Sequence, residues 1–135
     1  DEAGLKYDRT YLDLAEVVGS RLGELPSHIQ LVGSHSCVFR GRRFAHIVLR
    51  ERGSLISVLV TGLSRPGNSG RNGLADEART SIECSRYDGD HVACFETARH
   101  AIFVVSSLAE GQNLELARLL APTVCGHISH AEGAA

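Results

Sequence analysis

The sequence has no long apolar run, no excess of charge of one sign and no methionine. No apolar stretch approaches the roughly 18 residues that a membrane-spanning helix needs, and the opening residues do not form a signal peptide. The net charge is −2 and the arginines are scattered, so no basic stripe indicates binding to nucleic acid. Without an initiating methionine, we expect an excised domain whose only membrane contact is an anchor outside this chain.

The size and composition of the chain fit one globular domain. Its 135 residues, 43% hydrophobic and 22% charged, are enough to bury a core without staples. We therefore expect residues 1–135 to form a single domain that begins with a stalk or linker over residues 1–7. The glycine-rich stretch predicts a mobile surface loop over residues 64–79, and residues 131–135 should form a short tail.

Helical periodicity occurs near both ends of the chain. Asp8 is a suitable N-cap for a helix through about Gly23, because apolar residues recur at helical spacing: Leu12, Ala15, Val18 and Leu22. The same period over residues 109–130 predicts a C-terminal helix. Pro122 falls inside this second pattern, so we expect a kink or a restart of the helix there.

Between the helices, the pattern is typical of β-strands. Apolar stretches bounded by turn residues predict strands over 29–40, 43–50, 54–62, 80–87, 90–96 and 100–107. Short turns within each group of three give two antiparallel meanders. The predicted fold class is α+β, with about six antiparallel strands in two meanders and an N-terminal and a C-terminal helix packed on one face.

The two faces of the first meander are predicted to differ. With a turn at Arg52-Gly53, one face is wholly aliphatic and should meet the helices: Ala45, Ile47, Leu49, Ile56, Val58 and Val60. The opposite face is mixed: Phe44, His46, Val48, Leu55, Ser57 and Leu59. Such a face is either covered by the second meander or used for self-association or a protein partner.

Eleven residues are Cys or His, and one cluster of them falls on the mixed face. A two-residue turn at Gly41-Arg42 would place Cys37 directly opposite His46, with His35 within diagonal reach. Thiolate and imidazole ligands on a rigid sheet suit zinc or copper, given a fourth ligand or a water molecule. In the alternative interpretation, Cys37 is a small buried apolar residue and both histidines are ordinary surface residues.

Two further Cys/His clusters have simpler interpretations. Cys84 and Cys94 flank Asp88-Gly89, and a two-residue type I′ turn there leaves the two thiols on opposite faces. A β-bulge would restore a disulfide between them. His127 and His130, close to Cys125, are spaced to bind a metal, but histidines near a helix C-terminus also complement the helix dipole without a chemical role.

Catalytic motifs are missing from the sequence, so we expect no enzymatic activity. A thiol–imidazole pair of Cys37 and His46 would suit a small thiol enzyme, but nothing identifies an orienting carboxylate or an oxyanion site. The glycines of residues 67–73 follow no strand–loop–helix order and lack the Lys-Ser/Thr of a phosphate-binding loop. No paired carboxylates stand at a diagnostic spacing.

Two stretches of the chain carry a family resemblance. Residues 34–48 run into the strand 54–61, and Val92-Ala93-Cys94-Phe95-Glu96 precedes residues 101–108 and a Leu/Ala-rich helix. This pattern resembles the outer, extracytoplasmic region of membrane-anchored anti-sigma factors and related transmembrane transcriptional regulators. The inner domain of that family binds a sigma factor and often carries a zinc-binding H-x3-C-x2-C motif. This sequence lacks that motif, so no sigma-contacting residue is assigned.

The resemblance implies a non-catalytic sensor or interaction domain of a bacterial membrane-bound regulator, in the periplasm or otherwise outside the cytoplasm. Its signal would be redox state or a metal, sensed by His35, Cys37, His46 and Cys94. The alternative is a stand-alone zinc- or copper-binding protein that uses the same residues.

Overall fold

The structure, a computed structural model, describes residues 13–22, 28–63 and 82–134. Residues 13–22 are helical (α1), and helix α2 spans Glu110–Ala134. Between them lie the strands β1 (Ile29–Phe39), β2 (Arg42–Glu51), β3 (Ser54–Gly62), β4 (Glu83–Tyr87), β5 (Asp90–Glu96) and β6 (His100–Ser106). The α+β class predicted from the sequence is confirmed.

All six strands form one antiparallel sheet in the order β1-β2-β3-β6-β5-β4. Each meander stays together, and the final strands of the two meanders, β3 and β6, pair at the centre of the sheet. The first strands, β1 and β4, are therefore the edges. The predicted stalk over residues 1–7, the helix start at Asp8 and the predicted loop over residues 64–79 lie outside the described residues.

One face of the sheet carries the hydrophobic core. The predicted aliphatic pairs form as expected and all six residues are buried: Ala45 with Val60, Ile47 with Val58, and Leu49 with Ile56. In the second meander, the same face continues through Ala93, Phe95, Ile102 and Val104. Both helices pack here, through Leu14, Val18 and Leu22 of α1 and Leu116, Leu120, Val124 and Ile128 of α2. Since each fully buried aliphatic side chain contributes roughly 1.5–3 kcal/mol, this layer is the main source of stability.

A buried asparagine fixes the start of α2 to the sheet. The Asn113 amide nitrogen donates to the carbonyl oxygens of Val104, at 3.0 Å, and His91, at 3.3 Å. Its side-chain oxygen accepts a hydrogen bond from the Ser106 hydroxyl at 2.6 Å. Because an unsatisfied buried polar group costs about 1–3 kcal/mol, this set of bonds strongly favours one position of the helix.

Helix α2 runs without interruption through Pro122, so the expected restart does not occur. Pro122 is exposed, and water can replace the backbone hydrogen bond that its ring removes on that side. Helical backbone also continues through residues 131–134, where the sequence predicted a tail. No helix in the described part of the chain is long and apolar enough to cross a membrane.

Two of the turns place both central residues in the left-handed region. Asp88 and Gly89 have φ values of 52° and 87°, as the predicted type I′ turn requires. At the first hairpin, the prediction of a Gly41-Arg42 turn is wrong, because the strands close with Phe39 opposite Arg42. The turn residues are Arg40, with φ 53°, and Gly41, with φ 77°. A type I′ turn favours glycine as its second central residue, which shifts the turn by one position.

The variant Gly41→Ala should lose about 1 kcal/mol of unfolding free energy, since a Cβ disfavours the φ of 77° at this position. Gly126→Ala provides a control of opposite sign. It lies inside α2 and its added Cβ would meet nothing within 4 Å, so it should gain roughly 0.5–1 kcal/mol. Urea denaturation measures both, and a stabilising Gly41→Ala would contradict the left-handed turn.

Candidate functional site

The sheet face opposite the core, here called the outer face, carries a row of residues that crosses every strand. Helices α1 and α2 both pack on the core face, so neither covers the outer face. The cross-strand register aligns this central row, from the β1 edge to the β4 edge, as His35, His46, Leu59, Phe103, Cys94 and Glu83. The mixed face predicted for the first meander therefore extends across the second.

The rows on either side of the central row are mostly apolar. One contains Gly33, Val48, Ser57, Val105, Val92 and Ser85. The other contains Cys37, Phe44, Thr61, Ala101 and Glu96. Thr61 and Ala101 are buried, most of the other side chains in these rows are partly exposed, and Leu55, farther along β3, is 56% exposed. The outer face is thus a broad apolar surface with a histidine pair near one edge.

The histidine pair consists of His35 on β1 and His46 on β2, which are direct cross-strand partners. His35 Nε2 lies 3.1 Å from His46 Nδ1, and the ring centroids are 4.6 Å apart with an angle of 62° between the ring planes. In the neutral pair one nitrogen donates its hydrogen to the lone pair of the other. Two ring nitrogens therefore face each other on an exposed part of the sheet.

The predicted placement of Cys37 directly opposite His46 is wrong. Cys37 faces Phe44, because the turn lies at Arg40-Gly41 and the register shifts by two residues. A shift of two preserves the face of each side chain, so Cys37 still lies on the outer face, two positions along β1 from His35. The residue directly opposite His46 is His35.

Ser57 of β3 completes a hydrogen-bonded chain across three strands. Its hydroxyl oxygen lies 2.8 Å from His46 Nε2, so both nitrogens of that ring are engaged. The sequence placed Ser57 on the mixed face but did not predict this bond. The sequence does contain a signal for this bond, because Ser57 is diagonal to His46. Leu59 is opposite His46, and a residue two places along the partner strand is within reach of a long side chain.

The environment of His46 favours its neutral form. Partial burial lowers the pKa of His46 below its ordinary value of 6.5, and the neighbouring His35 lowers it further by charge repulsion. The imidazole therefore carries no extra proton at neutral pH. Neutral imidazole is the form that binds metal ions.

The order Ser57, His46, His35 resembles a nucleophile, a base and an orienting group, but its electrostatics oppose acyl transfer. A serine nucleophile needs a base that becomes imidazolium, which a carboxylate normally stabilises. Here the third group is an imidazole, and it lowers the pKa of His46 instead of raising it. The same arrangement that disfavours a proton on His46 leaves its lone pair available to a metal.

The separation of the two nitrogens fits a metal chelate. An ion about 2.05 Å from each nitrogen would subtend an angle of roughly 100° across the 3.1 Å gap, between the octahedral and tetrahedral values. An ion bound here would replace the hydrogen bond between the two nitrogens. Within the described residues, no group of three or more His, Cys, Asp or Glu side chains is placed to hold a metal, so the pair supplies only two ligands.

Cys94 lies on the outer face but does not reach the histidine pair. Leu59 and Phe103 stand between it and His46 in the central row, a separation of three strand spacings or roughly 14 Å. Burial, together with Glu96 and Glu83, raises the pKa of the Cys94 thiol to about 11. At this distance the thiol cannot share an ion with His46, so the predicted four-residue set is not assembled.

The other predicted cysteine and histidine positions are separate from this site. Cys84 faces Ala93, on the opposite face from Cys94, as the Asp88-Gly89 turn predicted. All four cysteines lie within the described residues, and no disulfide joins them. Cys125 is buried in the core and His130 is exposed on α2, so neither is on the outer face.

Comparison with known proteins adds no relative to this picture. No protein-family model matches the chain, and no curated protein is found to be similar to it. The resemblance to anti-sigma factors remains a prediction.

The stability of the protein should fall on acidification, and His46 should account for part of the loss. Because its pKa is lowered by folding, the unfolded chain binds more protons at this residue, and stability decreases as the pH falls below about 6.5. His46→Gln should reduce this dependence while keeping a partner for Ser57. Urea denaturation at several pH values measures it, with His130→Gln as a control; equal slopes for wild type and His46→Gln would contradict the assignment.

Cys94 should react slowly with iodoacetamide at neutral pH. A rise in its pKa from 9.0 to about 11 reduces the thiolate fraction roughly 100-fold relative to an ordinary thiol. Exposed Cys84 on the neighbouring strand is the internal comparison, and mass spectrometry of digested protein follows each site. The rate at Cys94 should continue to rise with pH up to about pH 11, and a rate that levels off near pH 10 would show an ordinary, unperturbed thiol.

Proposed function

We propose that this chain is a non-catalytic sensor and interaction domain of a bacterial membrane-bound transcription regulator, similar to the extracytoplasmic region of anti-sigma factors. We propose further that its signal is a divalent transition metal bound by His35 and His46. The sequence resemblance supports the regulator. The observation that carries the metal is the 3.1 Å approach of the two ring nitrogens.

The hydrogen bonds around His46 suit a metal ligand. A ligating histidine normally donates its second ring N–H to an acceptor, which fixes the ring and its tautomer. Ser57 Oγ is placed to be that acceptor, at 2.8 Å from His46 Nε2. This tautomer leaves the lone pair of His46 Nδ1 directed toward the ion, with His35 Nε2 as the second ligand.

The strands hold the two ligands in place before any metal arrives. β2 is an interior strand, paired with β1 on one side and β3 on the other, so the backbone of His46 is held from both sides. His35 lies on the edge strand β1 and is held by its pairing with β2. Preorganised ligands lose little conformational entropy on binding. Imidazole nitrogen suits both zinc and copper, and an angle near 100° is close to what either ion accepts.

A stand-alone metal-binding protein would use the same histidine pair. Gene sequence separates this alternative from the regulator, because a regulator should encode a cytosolic segment and an apolar stretch of about 20 residues before Asp1. The metal-binding experiment tests the chemistry that both proposals share.

Purified protein should bind zinc or copper in equilibrium dialysis, and the affinity should fall strongly in His35→Ala and in His46→Ala. Ser57→Ala keeps both ligands but removes the outer acceptor, so it should weaken binding roughly 10- to 100-fold. Binding should also weaken as the pH falls through the imidazole range, because protons compete for the lone pairs.

Two control variants make the test specific. His130→Ala, at the exposed end of α2, should leave binding unchanged, and Cys37→Ser should also retain it, because Cys37 faces Phe44 instead of His46. Wild-type protein that takes up neither ion would refute the metal proposal. Uptake that survives His46→Ala would place the ion elsewhere, with the His127 and His130 pair of α2 as the next candidate.

A further inference from the structure

We infer that the metal is shared by two copies of this chain: the outer faces dock on each other, and the two histidine pairs form one four-imidazole site. This inference rests on the metal proposal above. A second copy of the chain would supply the ligands that the site lacks.

The described residues of one chain supply too few ligands for a structural zinc site. Structural zinc sites are almost always tetrahedral with four protein ligands, whereas the described residues of one chain supply two at this position and no third residue is placed to join them. Both nitrogens lie on the outer side of an open sheet, so further ligands must approach from above the face. A second copy brings an identical pair.

The outer face, which neither α1 nor α2 covers, is close to the size that a dimer contact needs. Six strands at about 4.8 Å spacing, each with about seven residues at 3.4 Å, give a face of roughly 700 Å² per copy. A stable dimer needs about 800 Å² per partner, so the face is close to the required size. Its partly exposed apolar residues include Phe44, Val48, Leu59, Phe103 and Val105.

A two-fold symmetric arrangement of the two copies would bring their histidine pairs together. A two-fold axis lying along the central row would set each member of that row against its own copy, as an isologous interface requires. The histidine pair would then meet the partner's pair, and the valine-rich row would lie over the row that contains Phe44 and Ala101. Sheets packed face to face are about 10 Å apart, a gap that imidazoles from both sides can share around one ion.

The charges on the face are compatible with this arrangement. In the three rows, the carboxylates among the described residues are Glu83 and Glu96, both on the β4–β5 side. The histidine pair lies at the β1–β2 side, so the metal and the carboxylates occupy opposite ends of the interface. Glu83 lies in the central row and would meet its own copy, but it is exposed on the edge strand, so both carboxylates stay at the hydrated rim.

Sedimentation of the wild-type protein with zinc, and with EDTA, provides the test, together with the zinc content per chain. We expect a dimer holding one zinc per two chains. With free zinc at about 100 times its dissociation constant, linkage should strengthen association roughly 100-fold over the EDTA sample. Leu59→Lys, in the central row, should give a monomer that still binds zinc, more weakly and at one ion per chain.

The matched control is Val38→Lys, which places the same charge on an exposed apolar residue of β1 that points away from the outer face; it should remain a zinc-dependent dimer. If Leu59→Lys fails to fold, a short bis-maleimide replaces it. Position 83 is exposed and faces its own copy in the docked pair, so in a Cys84→Ser background Glu83→Cys should cross-link in zinc, and Cys84→Ser alone should cross-link far less.

The outcomes separate the two proposals. A wild-type monomer with one zinc per chain overturns the shared site but leaves the metal proposal intact; the outer face would then be covered by another segment of this chain or by a different protein. A protein without zinc uptake overturns the metal proposal itself. A zinc-dependent dimer that persists in folded Leu59→Lys, or that Glu83→Cys does not cross-link, places the interface on another surface.

Discussion

The rest of the structure depends on the burial of one aliphatic sheet face against two helices. Because side chains alternate along a strand, placing Ala45, Ile47 and Leu49 in the core sends Phe44, His46 and Val48 to the other face. The position of His46 is thus a consequence of the core. Slipping β2 by one residue to hide the histidine would expose all of these aliphatic side chains, at roughly 1.5–3 kcal/mol each.

Burial of the core determines which sheet face a side chain lies on, whereas the turns determine its cross-strand partner. The inner-face pairs and the Asp88-Gly89 hairpin followed from the sequence, since alternation and a turn with glycine in second place are local signals. The Arg40-Gly41 turn was missed because Arg40 is a poor indicator of a left-handed position, yet its φ is 53°. Because the turn lies one residue earlier than predicted, His35 and not Cys37 is opposite His46. Both residues still lie on the predicted face.

Other features could not be predicted from local pattern at all. The hydrogen bonds of Asn113 reach Ser106, Val104 and His91 on two strands, and they exist only once the helix has docked on the sheet. The Ser57 bond likewise needs the β2–β3 register and the ring rotation of His46 together. The separation of Cys94 from His46 needed the strand order, since sequence alone does not reveal that β6, and not β4, lies beside β3.

A sensor must have two states whose free energies depend differently on its signal. If the pair binds a metal as proposed, the lowered pKa of His46 limits competition from protons near neutral pH, so the occupancy of the pair would follow the metal concentration. If two copies share the ion, each zinc bound favours the docked state, and docking in turn raises the affinity for zinc by the same factor. The apolar outer face would supply the contact area, and metal binding by the histidine pair would be the condition for association. The metal and the face would then act as one switch, with association of the regulator's outer domains as its output.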